Sequence, residues 1–318
     1  MKKFLSLTFF VFIFSLSQAQ QTPGEYMNTA LLIMKANAVN RATLNWDEIY
    51  KTAIAEAKAV KTIPETYPII KKTLNELKDA HSKFFAPQVV AFYAKRYKET
   101  GNIFPEPKDS LINGKFAYIS IPAIANTNNE DWTQYIQSFY DKIKRLDRQN
   151  PAAWLLDIRD NDGGMFSPML AAIQPFLDQD KVVGSIDNSR QINFYSYRGG
   201  KIFFGAQQIA TIKVPLIKLK NRNKPIYILT SKVTSSSGEF VTASFTGQKG
   251  AKIVGHLTQG LTSDNSEFIL PDGAYLVITT GNLIDRTGKE YKEIGKGIEP
   301  SIKIKSNQLS DYIKAIEN

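Results

Sequence analysis

The sequence predicts an α/β protein with a helical N-terminal region. Through residues 25–85, apolar residues recur three and four positions apart, which is the period of an amphipathic helix. After residue 114, short apolar runs typical of strands alternate with helical segments, and this alternation favours an α/β core. The composition, 43% hydrophobic and 22% charged, is that of an ordinary globular protein.

The N-terminus has the pattern of an export signal. Met1-Lys2-Lys3 is followed by an apolar run over residues 4–16 and then by Ser17-Gln18-Ala19, a small-x-small cleavage site. We therefore expect residues 1–19 to be a signal peptide and the protein to be exported, either periplasmic or extracellular. The alternative is a retained, membrane-associated anchor, although the run is shorter than the ~20 residues that cross a bilayer.

Composition excludes several kinds of chemistry. The chain has 318 residues and no cysteine, so it can form neither a disulfide nor a thiolate nucleophile or metal ligand. Its 40 Lys and Arg against 30 Asp and Glu give a net charge of +10. The basic residues are scattered, and the group within residues 213–224 is typical of a solvated face. We predict no nucleic-acid partner, no metal and no cofactor, and the oligomeric state is left open.

Changes in pattern divide the chain into segments. They are a helical region at 20–100, a linker at 101–113 that contains two prolines, a core at 115–305 with a possible β-rich cap or insertion at 182–222, and a C-terminal helix within 306–318. In the core, we predict strands at 116–121, 152–158, 225–229 and 251–255, helices at 131–148, 166–177 and 237–248, and a hairpin at 267–280.

One serine-rich segment could carry chemistry. Residues 230–239 lie between a predicted strand and a predicted helix, where a serine hydroxyl is exposed and the first helical amides point towards it. The same residues also fit a simple helix cap, because Ser236 and Glu239 have the spacing of a capping box. The local sequence leaves both interpretations open.

Four segments, in this order, resemble motifs of the C-terminal processing (tail-specific) proteases. They are Leu155-Leu-Asp-Ile-Arg-Asp-Asn-Asp-Gly-Gly164, Thr234-Ser-Ser-Ser-Gly-Glu239, Ile253-Val-Gly-His-Leu-Thr-Gln-Gly260 and Gly297-Ile-Glu-Pro300. The resemblance implies a ClpP/crotonase-like α/β core. It also implies that Ser236, the serine three residues before the glutamate, is the nucleophile.

The resemblance points to histidine rather than lysine as the general base. Many members carry a lysine directly after the Thr-x-Gly turn, but here the position is Leu261, which cannot accept a proton. The branch that includes the tricorn-type core and the nisin-resistance protein uses a histidine near an Asp-x-His-Ser element, and residues 79–82 fit it. We therefore expect His81 to be the base, with a pKa near 7, and the other histidine, His256, to be structural.

The remaining site residues follow from the same resemblance. The backbone amides of Gly163, Gly164 and Ser237 would form the oxyanion hole, although an ordinary turn at the glycines is the alternative. Relatives place a glutamate just before the closing motif, and here Glu290 and Glu293 both lie nearby without matching its offset; of the two, Glu293 is the candidate for orienting His81. Asp157 and Arg159 are expected to form a structural ion pair.

An extended substrate is expected to add as a strand near residues 258–263. We expect the residues that bind it to be Asn161, Thr258, Gly260 and Thr262. The predicted activity is that of an exported serine endopeptidase that cleaves a peptide or an unfolded protein near its C-terminus through an acyl-enzyme. The alternative is a catalytically silent peptide- or lipid-binding relative. A glycosidase would need paired carboxylates, and the sequence shows no such pair.

Overall fold

The computed structural model describes residues 21–318, so the predicted signal peptide lies outside the described residues. Helices and sheets are both present, and the α/β class is confirmed. Within residues 21–318, no helix combines the length and the apolar character needed to span a bilayer.

The helices and strands of this range are as follows. The helices are α1 (Pro23–Asn37), α2 (Trp46–Lys58), α3 (Tyr67–Asn75), α4 (Pro87–Tyr93), α5 (Tyr97–Thr100), α6 (Asn129–Arg148), α7 (Phe166–Ile173), α8 (Ser237–Ala243) and α9 (Leu309–Glu317). The strands are β1 (Lys83–Phe85), β2 (Asp109–Ile112), β3 (Phe116–Ser120), β4 (Ala153–Asp157), β5 (Val183–Asp187), β6 (Ile192–Arg198), β7 (Lys201–Phe204), β8 (Gln207–Thr211), β9 (Ile226–Thr230), β10 (Ala251–Gly255), β11 (Ser263–Ile269), β12 (Tyr275–Asp285), β13 (Glu290–Tyr291) and β14 (Ile302–Lys303).

A six-stranded sheet has the order β14-β10-β9-β4-β3-β2. Its strands are parallel except for the edge strand β2, which runs antiparallel to β3. Helices α6, α7 and α8 contribute to the main apolar core on this sheet, and α9 packs in a separate cluster around the fully buried Tyr312. The loops that follow β4 and β9 therefore leave the same edge of the sheet, where α/β proteins bind their ligands.

An eight-stranded antiparallel sheet is built around the long strand β12. Its main order is β1-β12-β5-β6-β7-β8, and β11 and β13 also pair with β12. Residues 182–222, predicted to be a possible cap or insertion, contain β5 to β8 of this sheet. The N-terminal region also joins it, because Lys83 of β1 pairs with Val277 of β12.

The predicted linker at residues 101–113 is not entirely irregular. Residues 109–112 form β2, with Ile112 opposite Phe116 of β3. An edge strand is hydrogen-bonded on one side only, so it tolerates nearby prolines and a weak apolar pattern. For these two reasons, the sequence pattern did not predict this strand.

Helices α1 to α3 pack against β12 through a second apolar core that includes Met27, Ile70 and Leu276. At the edge of this contact, Asp272 in the β11–β12 turn accepts hydrogen bonds from the hydroxyls of Tyr26, at 2.8 Å, and Tyr67, at 2.6 Å. Tyr26 is fully buried. The turn therefore connects the N-terminal helices to the eight-stranded sheet.

We expect Asp272→Ala to lower the free energy of unfolding by about 2–3 kcal/mol, because it leaves the buried Tyr26 hydroxyl without an acceptor. Urea unfolding followed by circular dichroism measures this change. Asp180→Ala, at an exposed position, is the matched control and should change stability by less than ~0.5 kcal/mol. Equal effects of the two substitutions would contradict a role for Asp272 in docking the helices.

Candidate active site

Ser236 lies in a strained turn between β9 and α8. Its φ of 50° and ψ of −120° are unusual for a residue with a side chain, and such a conformation costs roughly 1–3 kcal/mol. Ser236 occupies the N-cap position of α8, yet its side chain makes no cap hydrogen bond. Instead, its Oγ lies 3.1 Å from Nε2 of His81.

The loop before β1 holds His81 in place. The buried carboxylate of Asp79 accepts hydrogen bonds from the backbone N–H of His81, at 3.0 Å, and from that of Ser82, at 2.8 Å. The Ser82 hydroxyl donates to the same carboxylate at 2.6 Å. Ala80, between them, has a φ of 55°. The Asp-x-His-Ser element thus forms a compact turn that fixes the backbone of the histidine.

The His81 ring is buried and makes two contacts. Nε2 faces Ser236, and Nδ1 lies 2.8 Å from Oγ of Ser263, the first residue of β11. Burial lowers the pKa of His81 to about 4, and the positive charge of Lys83 acts in the same direction. The expected pKa near 7 is therefore too high, and the imidazole is neutral at neutral pH.

The structure does not bring Glu293 to His81. Glu293 is 70% exposed and pairs with Lys296 at 2.9 Å. Ser263 occupies the Nδ1 side of the ring instead. Sequence reasoning missed Ser263, because its role follows from where β11 begins relative to the His81 loop. Its position three residues after the Thr-x-Gly turn was the only available signal.

Glu239, which the sequence suggested only as a capping residue, has a larger role. Its fully buried carboxylate accepts hydrogen bonds from the backbone N–H of Ser236, at 3.1 Å, and of Gly260, at 2.8 Å. The Thr258 hydroxyl donates to it as well. Burial raises the pKa of Glu239, and these hydrogen bonds oppose the increase. The carboxylate thus connects the Ser236 turn to the turn at residues 258–261.

The four residues expected to bind substrate make contacts that hold these loops together. Asn161 is fully buried, and its amide donates to the Ile121 carbonyl at 2.8 Å. Thr258 and Gly260 contact Glu239, and the Thr262 hydroxyl donates to the Tyr291 carbonyl at 3.3 Å. These groups all have partners within the chain, and a role for them in binding substrate stays a prediction.

Two backbone N–H groups remain available beside Ser236. The Gly163 N–H donates to Oδ1 of Asn161 at 3.0 Å, so it is already engaged. Within the described part of the chain, the N–H groups of Gly164 and Ser237 have no hydrogen-bond acceptor. A Cβ at Gly163 would lie 2.9 Å from Cβ of Ser236, which explains why a glycine is needed there. Of the three N–H groups predicted to form an oxyanion hole, those of Gly164 and Ser237 are therefore free to donate, and the oxyanion hole itself stays a prediction.

The other candidates take structural positions. Asp157 and Arg159 form an ion pair at 2.6 Å, and the Arg159 guanidinium lies 4.8 Å from the centre of the Tyr312 ring. Nε2 of His256 lies 3.3 Å from the carbonyl oxygen of Ser306. These contacts connect the C-terminal helix α9 and the segment before it to the six-stranded sheet.

Comparison with known proteins identifies the family. The model of peptidase family S41 matches residues 115–304. The chain belongs to peptidase family S41. It is 26% identical over 307 residues to the nisin-resistance protein of Lactococcus lactis subsp. lactis, covering 96% of this chain and 90% of that protein. The resemblance inferred from the four motifs is thereby confirmed.

Solved structures share the fold. A lipoprotein from Streptococcus agalactiae superposes with a TM-score of 0.74 at 21% identity, covering 98% of each chain. The photosystem II D1 C-terminal processing protease superposes with a TM-score of 0.62 at 14% identity, covering 92% of this chain and 96% of the other. The similarity extends over the N-terminal helices as well as the sheets.

We expect Glu239→Gln to lower the free energy of unfolding by about 2–4 kcal/mol, because the new NH₂ group would face backbone N–H donors. Thermal and urea unfolding measure the change. Glu76→Gln, at an exposed position, serves as the matched control and should have almost no effect. If Glu239→Gln were as stable as the parent protein, the carboxylate would not be needed to hold the two turns.

Proposed function

We propose that this member of the S41 family is an exported serine endopeptidase that cleaves peptides or unfolded proteins near their C-terminus. Ser236 is the nucleophile and His81 is its base. The observation that carries the proposal is the 3.1 Å separation between Ser236 Oγ and His81 Nε2. The export signal pattern at residues 1–19 supports secretion.

Acylation begins with proton transfer from Ser236 to His81. A neutral imidazole whose hydrogen is on Nδ1, directed at Ser263, leaves the Nε2 lone pair to accept the hydroxyl proton. Ser236 Oγ then forms a bond to the carbonyl carbon of the scissile peptide. Ser263 has the orienting function that a carboxylate has in many triads, without placing a negative charge beside the imidazole.

The N–H groups of Gly164 and Ser237 stabilise the negative oxygen of the tetrahedral intermediate. One such donor lowers the barrier by ~3 kcal/mol. The carbon–nitrogen bond then breaks, and the leaving amine takes its proton from His81 Nε2. In deacylation, a water molecule gives a proton to the same nitrogen as it attacks the ester. The bond between the carbonyl carbon and Ser236 Oγ then breaks, Oγ takes the proton back from His81 Nε2, and the new C-terminal acid is released.

The first test is the nucleophile itself. Ser236→Ala should abolish hydrolysis of an unstructured peptide while leaving the unfolding transition unchanged, because only one oxygen is removed. A fluorophosphonate probe followed by mapping of the labelled peptide should modify Ser236 and neither Ser235 nor Ser237. Those two hydroxyls donate to the carbonyl oxygens of Asp162 and Gly164, so they are the natural controls.

Two results would contradict the assignment. Retained hydrolysis in Ser236→Ala would move the nucleophile to a neighbouring serine. An absence of both labelling and hydrolysis in the parent protein would favour a peptide- or lipid-binding relative that lacks catalysis.

The second test is the pH dependence of kcat/KM, which reports on the free enzyme. Because the pKa of His81 is about 4, the base is already neutral above about pH 5. We expect kcat/KM to be nearly constant between pH 5.5 and 7.5 and to fall about tenfold per unit at pH values well below 4. A midpoint near pH 6.5, the ordinary value for histidine, would contradict a desolvated base.

Asp264 is a further buried group that could titrate in this range. Burial raises the pKa of Asp264 to about 6, and its carboxylate accepts a hydrogen bond from the Tyr195 hydroxyl at 2.8 Å. Asp264→Asn is therefore the control. The fall at low pH should persist in this variant if His81 is responsible for it.

A further inference from the structure

Tyr195 of β6 reaches the strand that supports the histidine. Its hydroxyl donates to Oδ1 of the buried Asp264 at 2.8 Å, although β12 and β5 lie between β6 and β11 in the sheet. On β12, the residue opposite Asp264 is Gly281, and a Cβ there would collide with Oγ of Ser185 on β5. Small residues on the two intervening strands therefore leave room for the bond. It connects residues 182–222 to the start of β11.

Asp264 directly follows Ser263, the residue that contacts the histidine ring. Oγ of Ser263 lies 2.8 Å from Nδ1 of His81. The pairing of β11 with β12 shifts register between Asp264 and Asn265, and bulges of this kind redirect side chains beside functional sites. Because successive side chains of a strand point to opposite faces, an anchor at Asp264 fixes the backbone of Ser263 without competing for its hydroxyl.

The ring of Tyr195 also lies against the helices that follow the two other parts of the site. Its centre is 5.1 Å from that of Phe166, the first residue of α7, and 6.0 Å from that of Phe240 in α8. Aromatic rings attract one another in edge-to-face pairs at such distances. Phe166 lies two residues after Gly164, and Phe240 lies four residues after Ser236. One side chain thus contacts elements that lead from the oxyanion donors, the nucleophile and the support of the base.

We propose that Tyr195 is a positioning residue that holds these three parts of the site in one arrangement. The inference rests on the proposed peptidase function. Through its hydroxyl, Tyr195 keeps Ser263 against His81, and through its ring it keeps the starts of α7 and α8 in place. Misplacement of reacting groups by about 1 Å can cost ~10²-fold in rate, so this positioning affects catalysis. Residues 182–222 are then part of the catalytic unit.

The first measurement follows His81 itself and does not depend on catalysis. The chain has two histidines, so a pH titration of their imidazole Cε1–H NMR signals gives both pKa values, and His256→Gln assigns them. In Tyr195→Phe, the start of β11 loses its anchor and water reaches the ring. We therefore expect the pKa of His81 to rise from about 4 by about one unit or more, towards the ordinary value of about 6.5.

The direction of this change separates positioning from a charge effect. Loss of the tyrosine hydroxyl removes a hydrogen bond from the carboxylate of Asp264, which favours its neutral form. Less negative charge near the imidazole would lower the pKa of His81. The charges of Asp79 and Lys83, which also act on this pKa, are the same in both proteins. A rise is therefore expected only where the ring becomes more hydrated.

Tyr197→Phe is the matched control. Tyr197 lies two residues further along β6, and its hydroxyl donates to the Val214 carbonyl at 3.3 Å. The substitution also removes one hydroxyl from this strand, but it should leave the pKa of His81 unchanged. Urea unfolding of both variants shows that each is folded.

Two substitutions of the acceptor test the same bond from its other end. Asp264→Asn keeps an oxygen that accepts from Tyr195, so the pKa of His81 should stay close to that of the parent protein. Asp264→Leu has a similar volume but no acceptor, and it should raise this pKa as Tyr195→Phe does. The double variant of Tyr195→Phe and Asp264→Leu should show no larger rise than either substitution alone, because both remove one bond.

Turnover tests the catalytic consequence, at a pH where His81 is neutral in every variant. With an unstructured peptide, kcat of Tyr195→Phe should be about tenfold or more below that of the parent protein, while KM changes by less than about twofold. The reason is that the substitution disturbs the arrangement of the reacting groups and removes no contact with the substrate. Tyr197→Phe should retain both constants.

Two outcomes would overturn the positioning role, even if the parent protein hydrolyses peptides. They are an unchanged pKa of His81 in both Tyr195→Phe and Asp264→Leu, and an equal rise in Tyr195→Phe and Tyr197→Phe. If the parent protein hydrolyses no peptide and the rise is still specific to Tyr195→Phe, the positioning of His81 is supported and the peptidase proposal is contradicted. The two failures are therefore distinguishable.

Discussion

The buried carboxylate of Glu239 is the contact on which the geometry of the site depends. It accepts a hydrogen bond from the Ser236 N–H on one side, and from the Gly260 N–H and the Thr258 hydroxyl on the other. The second group belongs to the turn that joins β10 of the six-stranded sheet to β11 of the other sheet. Burying a carboxylate is unfavourable unless hydrogen bonds compensate, and here they come from the two loops that must be aligned.

The same turn also determines the position of His81, through Ser263. Ser263 begins β11 three residues after Gly260 and contacts the imidazole, while the chain that carries His81 enters β1 two residues later. Strands β1 and β11 both pair with β12, so one strand sets the distance between a histidine and a serine that are 182 residues apart. The same packing removes water from the ring, which explains why the imidazole of His81 stays neutral at pH values below the ordinary pKa of histidine.

The sequence predicted the elements of this arrangement better than their contacts. The strand and helix periods, together with the order of the motifs, predicted most core elements. They also predicted Ser236 and His81 as a pair, and Oγ of Ser236 does lie 3.1 Å from Nε2 of His81. The prediction for Glu293 did not anticipate Ser263, because a partner supplied by strand register leaves no local pattern. The pKa of His81 was also beyond reach, since it depends on burial by segments distant in the chain.

The contacts of the polar residues in the motifs were likewise not predictable from the sequence. These contacts explain how the loops of the site are held. Asn161, Thr258 and Thr262 direct their side chains to neighbouring backbone or to Glu239, and so they determine where the loops lie. The donors left beside Ser236 are backbone N–H groups, whose positions are fixed without loss of side-chain freedom. We therefore expect substitution of these polar side chains to affect substrate binding mainly by displacing the loops.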